Sequence, residues 1–258
     1  MTAPLLSCRG LTRRFGGLLA LDGLDLSVEE GSVLGLIGPN GSGKTTFFNV
    51  LTGLFPASAG EVRFAGAVIT DWKPQAVYRI GIARTFQRSR LCLPLSVFDN
   101  LMVGNHQHLD HGLWFNLVQR RALRAQIEEN YARARELLHI FDPALPDQIL
   151  APASRIPMID RRRVEVCRAL ISRPKLLLLD EPSAGMTHDE TLRLMDDILL
   201  VQQKLGGLTI ILIEHEMSVI ERVTRSCVVL NYGKKIAEGA WAEVSHDAMV
   251  RQAYLGLE

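Results

Sequence analysis

The chain has 258 residues, 47% of them hydrophobic and 22% charged, with a formal net charge of +1. That is enough apolar material for one large core with a subdomain, while the near-zero charge argues against bulk nucleic-acid binding. No run approaches the roughly eighteen apolar residues of a membrane helix, no signal-peptide pattern opens the chain, and Cys8, Cys92, Cys167 and Cys227 form no C-x-x-C pair, so they read as reduced thiols in a cytosolic protein.

Taken in order, residues 5–9 and 24–28 read as short strands, the second with Leu24, Leu26 and Val28 on one face. Between them Phe15 stands beside Gly16 and Gly17. It could stack on a base or be a core aromatic at a strand end, and the pattern does not separate the two. The apolar run 33–37 then leads into Gly38-Pro39-Asn40-Gly41-Ser42-Gly43-Lys44-Thr45-Thr46, which satisfies G-x-x-x-x-G-K-[ST] in full. A helix is expected from Thr46. Strand, glycine loop and helix form a phosphate cradle: successive backbone N–H groups curl around the anion and the helix N-terminus adds partial positive charge. Lys44 is expected to reach the β- and γ-phosphates, and Thr45 to hold Mg²⁺.

A hairpin is expected over residues 61–69 and a helix over 74–80. Residues 82–87 read as a strand ending on Gln87, a position that is either a loop start or a polar reach toward a metal or water at the sheet edge. From Ser96 to Phe141 the strand signal stops. Helices are expected over 97–103 and 119–140, the second with Leu123, Ile127, Tyr131, Leu137 and Leu138 on an apolar stripe. His106, His108, His111 and Asp110 have the chemistry of a metal site, but no cysteine or carboxylate cluster accompanies them, and a solvated loop is the preferred reading.

After a proline-punctuated loop, Asp160 reads as the N-cap of a helix to about Ile171. Its first turn would then be Arg161-Arg162-Arg163, the wrong charge for a helix N-terminus. The run reads as a solvated basic face or as a seat for an anion or acidic partner. Four leucines, 176–179, make a strand buried on both sides that ends on Asp180 and Glu181. Adjacent strand residues point to opposite faces, so the two acids take different roles: Asp180 for Mg²⁺, Glu181 to take a proton from water. A helix over 189–204 with Leu192, Met195, Ile198 and Leu199 inward leads to a strand at 209–213. Glu214, His215 and Glu216 follow at the same sheet edge. Strands at 227–230 and 235–237 and a short helix at 247–255 finish the chain.

These residues resemble the ATP-binding subunit of ABC transporters over nearly the whole chain. The resemblance implies an α/β fold: a P-loop NTPase with a RecA-like core, an antiparallel β portion and a helical subdomain. As one ABC ATPase domain, it would have its core over about 1–90 and 172–240, the subdomain over about 91–171 and a tail over 241–258. It also implies ATP and Mg²⁺ as cofactors, a base-stacking aromatic at Phe15, a Walker A loop at 38–46 and a Q-loop glutamine at Gln87 that binds ATP and Mg²⁺. A Walker B strand with Asp180 and catalytic Glu181, and a switch histidine at His215, complete the set. Arg84-Thr85-Phe86-Gln87, the insertion at 106–121, Ile213-Glu214-His215-Glu216-Met217 and the ending Ala253-Tyr254-Leu255-Gly256 look like the subgroup of bacterial importers for branched-chain amino acids and related amides. The partners so implied are integral membrane permease subunits, docked beside residues 87–100, and indirectly a periplasmic solute-binding protein; no nucleic acid is expected. The implied location is the cytoplasmic face of the bacterial inner membrane, as a peripheral subunit.

One departure stands out. Relatives carry a signature near L-S-G-G-Q about twenty residues before Walker B, and here the slot reads Ile156-Pro157-Met158-Ile159-Asp160. Pro157 has no donor where a serine hydroxyl would meet the γ-phosphate. Ile159 brings a branched side chain where glycine allows close approach. Asp160 adds a negative charge facing phosphate. Thr187 also replaces the aspartate that many relatives carry in the D-loop. The expectation is therefore a chain that works beside a second, non-identical ATPase subunit. Rival expectations are a nucleotide-gated regulatory module with poor turnover and a soluble ABC ATPase of translation or DNA repair.

Overall fold

The computed structural model describes residues 3–87, 89–110 and 112–255. They fall into two compact units. The first is built from the chain up to Arg84, Lys175–Glu181 and the chain from Gln202; the second from Thr85–Pro174 and Pro182–Val201.

In chain order the elements are β1 (Leu6–Phe15), β2 (Leu18–Val28), β3 (Val33–Ile37), α1 (Lys44–Leu51), β4 (Ala59–Phe64), β5 (Ala67–Val68), α2 (Pro74–Arg79) and β6 (Ile82–Arg84). The second unit supplies α3 (Val97–Asn105), α4 (Leu113–Val118), α5 (Arg120–Phe141) and α6 (Met158–Leu170). Then follow β7 (Leu176–Asp180), α7 (His188–Lys204), β8 (Thr209–Ile213), α8 (Met217–Val223), β9 (Ser226–Asn231), β10 (Lys234–Gly239), α9 (Trp241–Val244) and α10 (Ala248–Leu255).

The first unit holds two sheets. One has the order β10-β9-β3-β8-β7-β6, parallel except for the β9–β10 hairpin. Every residue of β3, β7 and β8 is buried, which is why these strands read as unbroken apolar runs rather than alternations. The other sheet is antiparallel, in the order β2-β1-β4-β5. Helix α1 inserts Phe47 and Phe48 into one core cluster that joins Leu6 and Leu11 of the antiparallel sheet to Leu36, Leu178 and Ile211 of the parallel one. Asp180, the last residue of β7, is level with Ile213, the last residue of β8. The chain beyond both therefore emerges at one carboxyl edge, where open α/β sheets gather ligands.

In the second unit α3, α5 and α6 pack on one another. Helices α3 and α6 meet closely at Gly104, where an added Cβ would lie 2.0 Å from the Arg168 carbonyl oxygen. The Asn105 amide donates to the Asn130 side-chain oxygen at 2.5 Å, tying α3 to α5.

Several expectations change here. Strands β1 and β2 are longer than 5–9 and 24–28, because backbone pairing with bulges carries them through Arg13, Arg14 and Phe15. The strand read over 82–87 stops at Arg84, so Gln87 does not close a strand. The apolar stripe of α5 is only half realised: Leu137 and Leu138 are buried with Asn130, Ala134 and Phe141, while Ile127 is exposed. In α7 the buried positions are Thr191, Leu194, Met195, Ile198 and Val201, a stripe rotated from the expected one that leaves Leu192 and Leu199 half-buried. The short helices α4, α8 and α9 carried no signal that the periodicity reading used. Of the histidine cluster, His106 and His108 lie in a single 3₁₀ turn and His111 is outside the described residues. No metal-holding group of His, Cys, Asp or Glu occurs among the described residues. All four cysteines are free.

Gly104→Ala is expected to destabilise the protein by about 1–3 kcal/mol, the range for overpacking a tight contact. Urea unfolding monitored by circular dichroism checks it. A midpoint equal to wild type would mean that the α3–α6 contact relaxes freely.

Candidate nucleotide-hydrolysis site

The glycine loop starts where β3 ends, and its shape is fixed by what surrounds it. Gly38 has φ 146°, and a Cβ there would meet the Leu230 carbonyl oxygen at 2.1 Å. Gly43, at φ 108°, precedes α1, and a Cβ there would lie 2.5 Å from the Ala20 carbonyl oxygen. Both positions demand glycine on conformation and on space. The Gly233 N–H donates to the Ser42 carbonyl, and the Asp22 N–H to the Gly233 carbonyl, so the β9–β10 turn and β2 hold the loop from outside.

Lys44 opens α1 with its ammonium folded back on the loop. It donates to the Gly38 carbonyl at 2.6 Å and to the Pro39 carbonyl at 3.0 Å. Burial lowers its pKa below the usual lysine range, and the carboxylates of Glu181 and Asp180 push it back up. The buried Ser42 hydroxyl oxygen has no hydrogen-bond partner among the described residues. Thr45 is exposed and Thr46 half-buried beside it. Tyr254 on α10 reaches the start of the loop: burial pushes its phenol up to about 12, while the Gly38 N–H donated to the phenol oxygen acts in the opposite direction.

Phe15 ends β1 and is 37% exposed, which removes the core-aromatic reading. Its ring meets Phe55 edge-on at 5.2 Å, and the Arg13 guanidinium sits 4.4 Å from its centroid. Phe15, the loop from Asn40 to Thr46, Tyr232 and Glu181 line a cavity of about 320 Å³. A larger cavity of about 520 Å³ also touches the loop, but its remaining walls are Asn231, Tyr232, Ile236, Met249, Gln252 and Ala253, without Lys44 or an acid. The chemistry belongs to the smaller one.

The two acids at the end of β7 do part company. Asp180 is buried and paired with Arg84, Nη2 to Oδ2 at 2.6 Å. Glu181 has left the strand at φ 47°, with its N–H donated to the Ile213 carbonyl, and its carboxylate turns to the cavity. There His215 Nε2 and Glu181 Oε1 share a 2.5 Å hydrogen bond. The strained backbone thus delivers one acid to a cation and the next to a histidine.

The second unit carries the other expected residues. Gln87 accepts at its backbone carbonyl from Arg162. Asp160 is not an N-cap: α6 begins at Met158, Pro157 stands at the cap without a side-chain bond, and Asp160 lies in the first turn. Ile156 is buried, Met158 is exposed and Ile159 half-buried. The arginine run is not a solvated basic face. Arg161 donates to the carbonyls of Ile156 and Ser154, Arg162 is buried against Glu165, and Arg163 bridges Asp142, Asp160 and Asp197. The sequence reading missed Arg84, Asn49 and Tyr254. An arginine inside a buried strand was the available signal for the first.

The profile described as ABC transporter matches residues 21–184. The chain belongs to the ABC transporter family. As a member it is an ATP-binding cassette whose reaction is ATP hydrolysis coupled to transport. It is 37% identical over 256 residues to the high-affinity branched-chain amino acid transport ATP-binding protein LivG of Salmonella typhimurium, covering 99% of both chains. It is also 37% identical over 259 residues to BraF of Pseudomonas aeruginosa, a protein of the same description, again covering 99% of each. Among solved structures, a nucleotide-free ATP-binding cassette from an ABC transporter superposes with a TM-score of 0.84 at 30% identity, covering 98% of this chain and 100% of that one. An ADP-bound cassette gives the same score and identity, with 99% and 100% covered.

Gly38→Ala is expected to lower ATP affinity by about tenfold or more, because the added carbon must displace the Leu230 backbone and with it the loop. Titration calorimetry on the folded variant checks this; an unchanged affinity would show that the loop tolerates the shift.

Proposed function

We propose that this chain is the ATP-hydrolysing subunit of a bacterial importer for branched-chain amino acids or related small polar solutes. The observation that carries the hydrolytic part is the hydrogen bond of His215 to Glu181, the acid that lines the cavity formed by the Walker A loop. The cargo rests on the relatives' descriptions.

ATP would lie with its phosphates in the loop at 38–46 and its base against Phe15. The residues fit such a ligand: two glycines leave a cradle that any Cβ would fill, the buried Ser42 hydroxyl has no partner among the described residues, and the Lys44 ammonium is held at the loop by its carbonyls. Mg²⁺ fits the oxygen donors Thr45 and Asp180. One carboxylate with phosphates is how proteins usually hold this ion, so the lack of a larger acid cluster among the described residues accords with it. When bound, the ion neutralises charge developing on the transferred phosphoryl group. Glu181 polarises the attacking water, His215 orients that carboxylate, and Lys44 stabilises the γ-phosphate oxygens.

No helix among the described residues is long and apolar enough to cross a membrane, so coupling to transport requires separate permease subunits. Leu93 and Leu95, each 40% exposed between Gln87 and Asn100, support docking there. A periplasmic solute-binding protein would act through the permease, at the inner membrane.

The signature slot favours a second, non-identical ATPase subunit. Pro157 offers no hydroxyl or N–H, Ile159 fills the glycine position, and the neighbouring arginines are committed to internal carbonyls and carboxylates rather than available to phosphate. Two copies of this chain would have two weak sites; a heterodimer would have one. A nucleotide-gated module with poor turnover is the second reading, favoured by the same slot and opposed by the complete Glu181–His215 pair.

Glu181→Gln is expected to retain ATP binding and cut turnover of the reconstituted transporter by a factor of about 10² or more, as for loss of a catalytic base. Unchanged turnover would remove Glu181 from the mechanism. Phe15→Ala should weaken ATP binding by about 1–3 kcal/mol if the ring stacks on adenine. Turnover by the purified chain alone should be slow, and faster by about 10² or more with the second subunit, the cost of a missing oxyanion donor. Brisk hydrolysis by the chain alone, unaffected by Pro157→Ser with Ile159→Gly, would exclude the asymmetric arrangement.

A further inference from the structure

Arg84 ends β6 and is held on three sides. Its Nη2 meets Asp180 Oδ2 at 2.6 Å, its Nη1 donates to Asn49 Oδ1 of α1 at 2.7 Å, and its Cζ lies 5.3 Å from the Phe48 ring centroid. The side chains of Arg84 and Asp180 are each only 5% exposed. A buried, forked guanidinium of this kind is fixed in charge and in place. Asp180 therefore carries a permanent organic cation on one carboxylate oxygen.

We propose that Arg84 is the resident counter-ion of Asp180, a positioning residue that bars Mg²⁺ from the site until a nucleotide arrives. This rests on the proposed role of Asp180 at the metal. A divalent ion approaching that carboxylate meets a fixed positive charge a few ångströms away, which cancels part of the attraction of the one carboxylate, and the remainder does not repay the water that Mg²⁺ gives up reluctantly. Nucleotide phosphates bring the additional negative charge that tips the balance. The metal then enters with ATP rather than ahead of it. Between turnovers Arg84 keeps Asp180 aligned, because a buried carboxylate without a partner would be costly.

The test uses Mn²⁺ as the probe ion, with binding followed by electron paramagnetic resonance. The wild-type chain should bind Mn²⁺ at least about tenfold more weakly without nucleotide than with ADP, since the phosphates supply the missing charge. Arg84→Gln should narrow that gap by about tenfold by gaining nucleotide-independent binding, Arg84→Lys should keep it, and Arg84→Gln with Asp180→Asn should lose the gained binding. Equal wild-type affinity with and without ADP would overturn the proposal even if Arg84→Gln failed to fold. So would a folded Arg84→Gln chain with the wild-type gap. If Asp180→Asn alone left Mn²⁺–ADP binding unchanged, the metal role of Asp180 would fail first, and the proposal with it.

Discussion

The constraint on which the site depends lies between two stretches of backbone nearly two hundred residues apart. Gly38 faces the Leu230 carbonyl so closely that a single added carbon would lie 2.1 Å from the oxygen. The conformation of the phosphate loop is therefore a property of the parallel sheet. Strand β9 supplies one wall, the turn at Gly233 pins Ser42, and the start of β2 crowds Gly43. Phe47 and Phe48 then lock α1 between the two sheets, so the helix that follows the loop cannot shift without opening the core. Preorganisation here comes from packing, and it costs nothing further when a ligand binds.

Around this frame, buried arginines do the placing. Arg84 fixes Asp180; Arg162 is paired with Glu165 and donates to the carbonyls of Gln87 and Ala184; Arg163 gathers three aspartates from three segments of the second unit. Each guanidinium satisfies several acceptors at once, which is how a buried ion pair offsets its desolvation. Such ties give uniqueness of arrangement more than net stability. They also explain how a helix with three consecutive arginines in its first half can form: Asp160 in the first turn supplies the acid, and none of the three charges is left against the positive end of the helix dipole.

The parts of the site legible in the sequence were those specified by local pattern. The glycine loop, the four-leucine strand with its two acids and the strand before His215 each combine a buried run with a polar residue at its carboxyl end. That combination survives folding unchanged. What the pattern could not show were facts of tertiary pairing. Asp160 reads as a cap because aspartate favours caps, yet Pro157, with φ preset, stands there instead. The stripes of α5 and α7 were misplaced because leucines outnumber the positions the core can use; Asn130 and Thr191 took buried places through hydrogen bonds that periodicity does not count. Arg84 entered the sequence reading only as part of the run Arg84-Thr85-Phe86-Gln87, and its meaning depended on a partner 96 residues away.

The distance between Gly38 and its supports also orders events in time. During synthesis the Leu230 carbonyl, the Gly233 N–H and Tyr254 that complete the surroundings of the glycine loop are made about two hundred residues after it. Contacts of such long sequence separation form late on any folding route. A nascent chain ending before β9 would carry every residue of the Walker A motif and still present no formed anion cradle. ATP therefore cannot act as an early folding template for this chain on the ribosome, and chains halted before that point would gain no protection from cellular nucleotide.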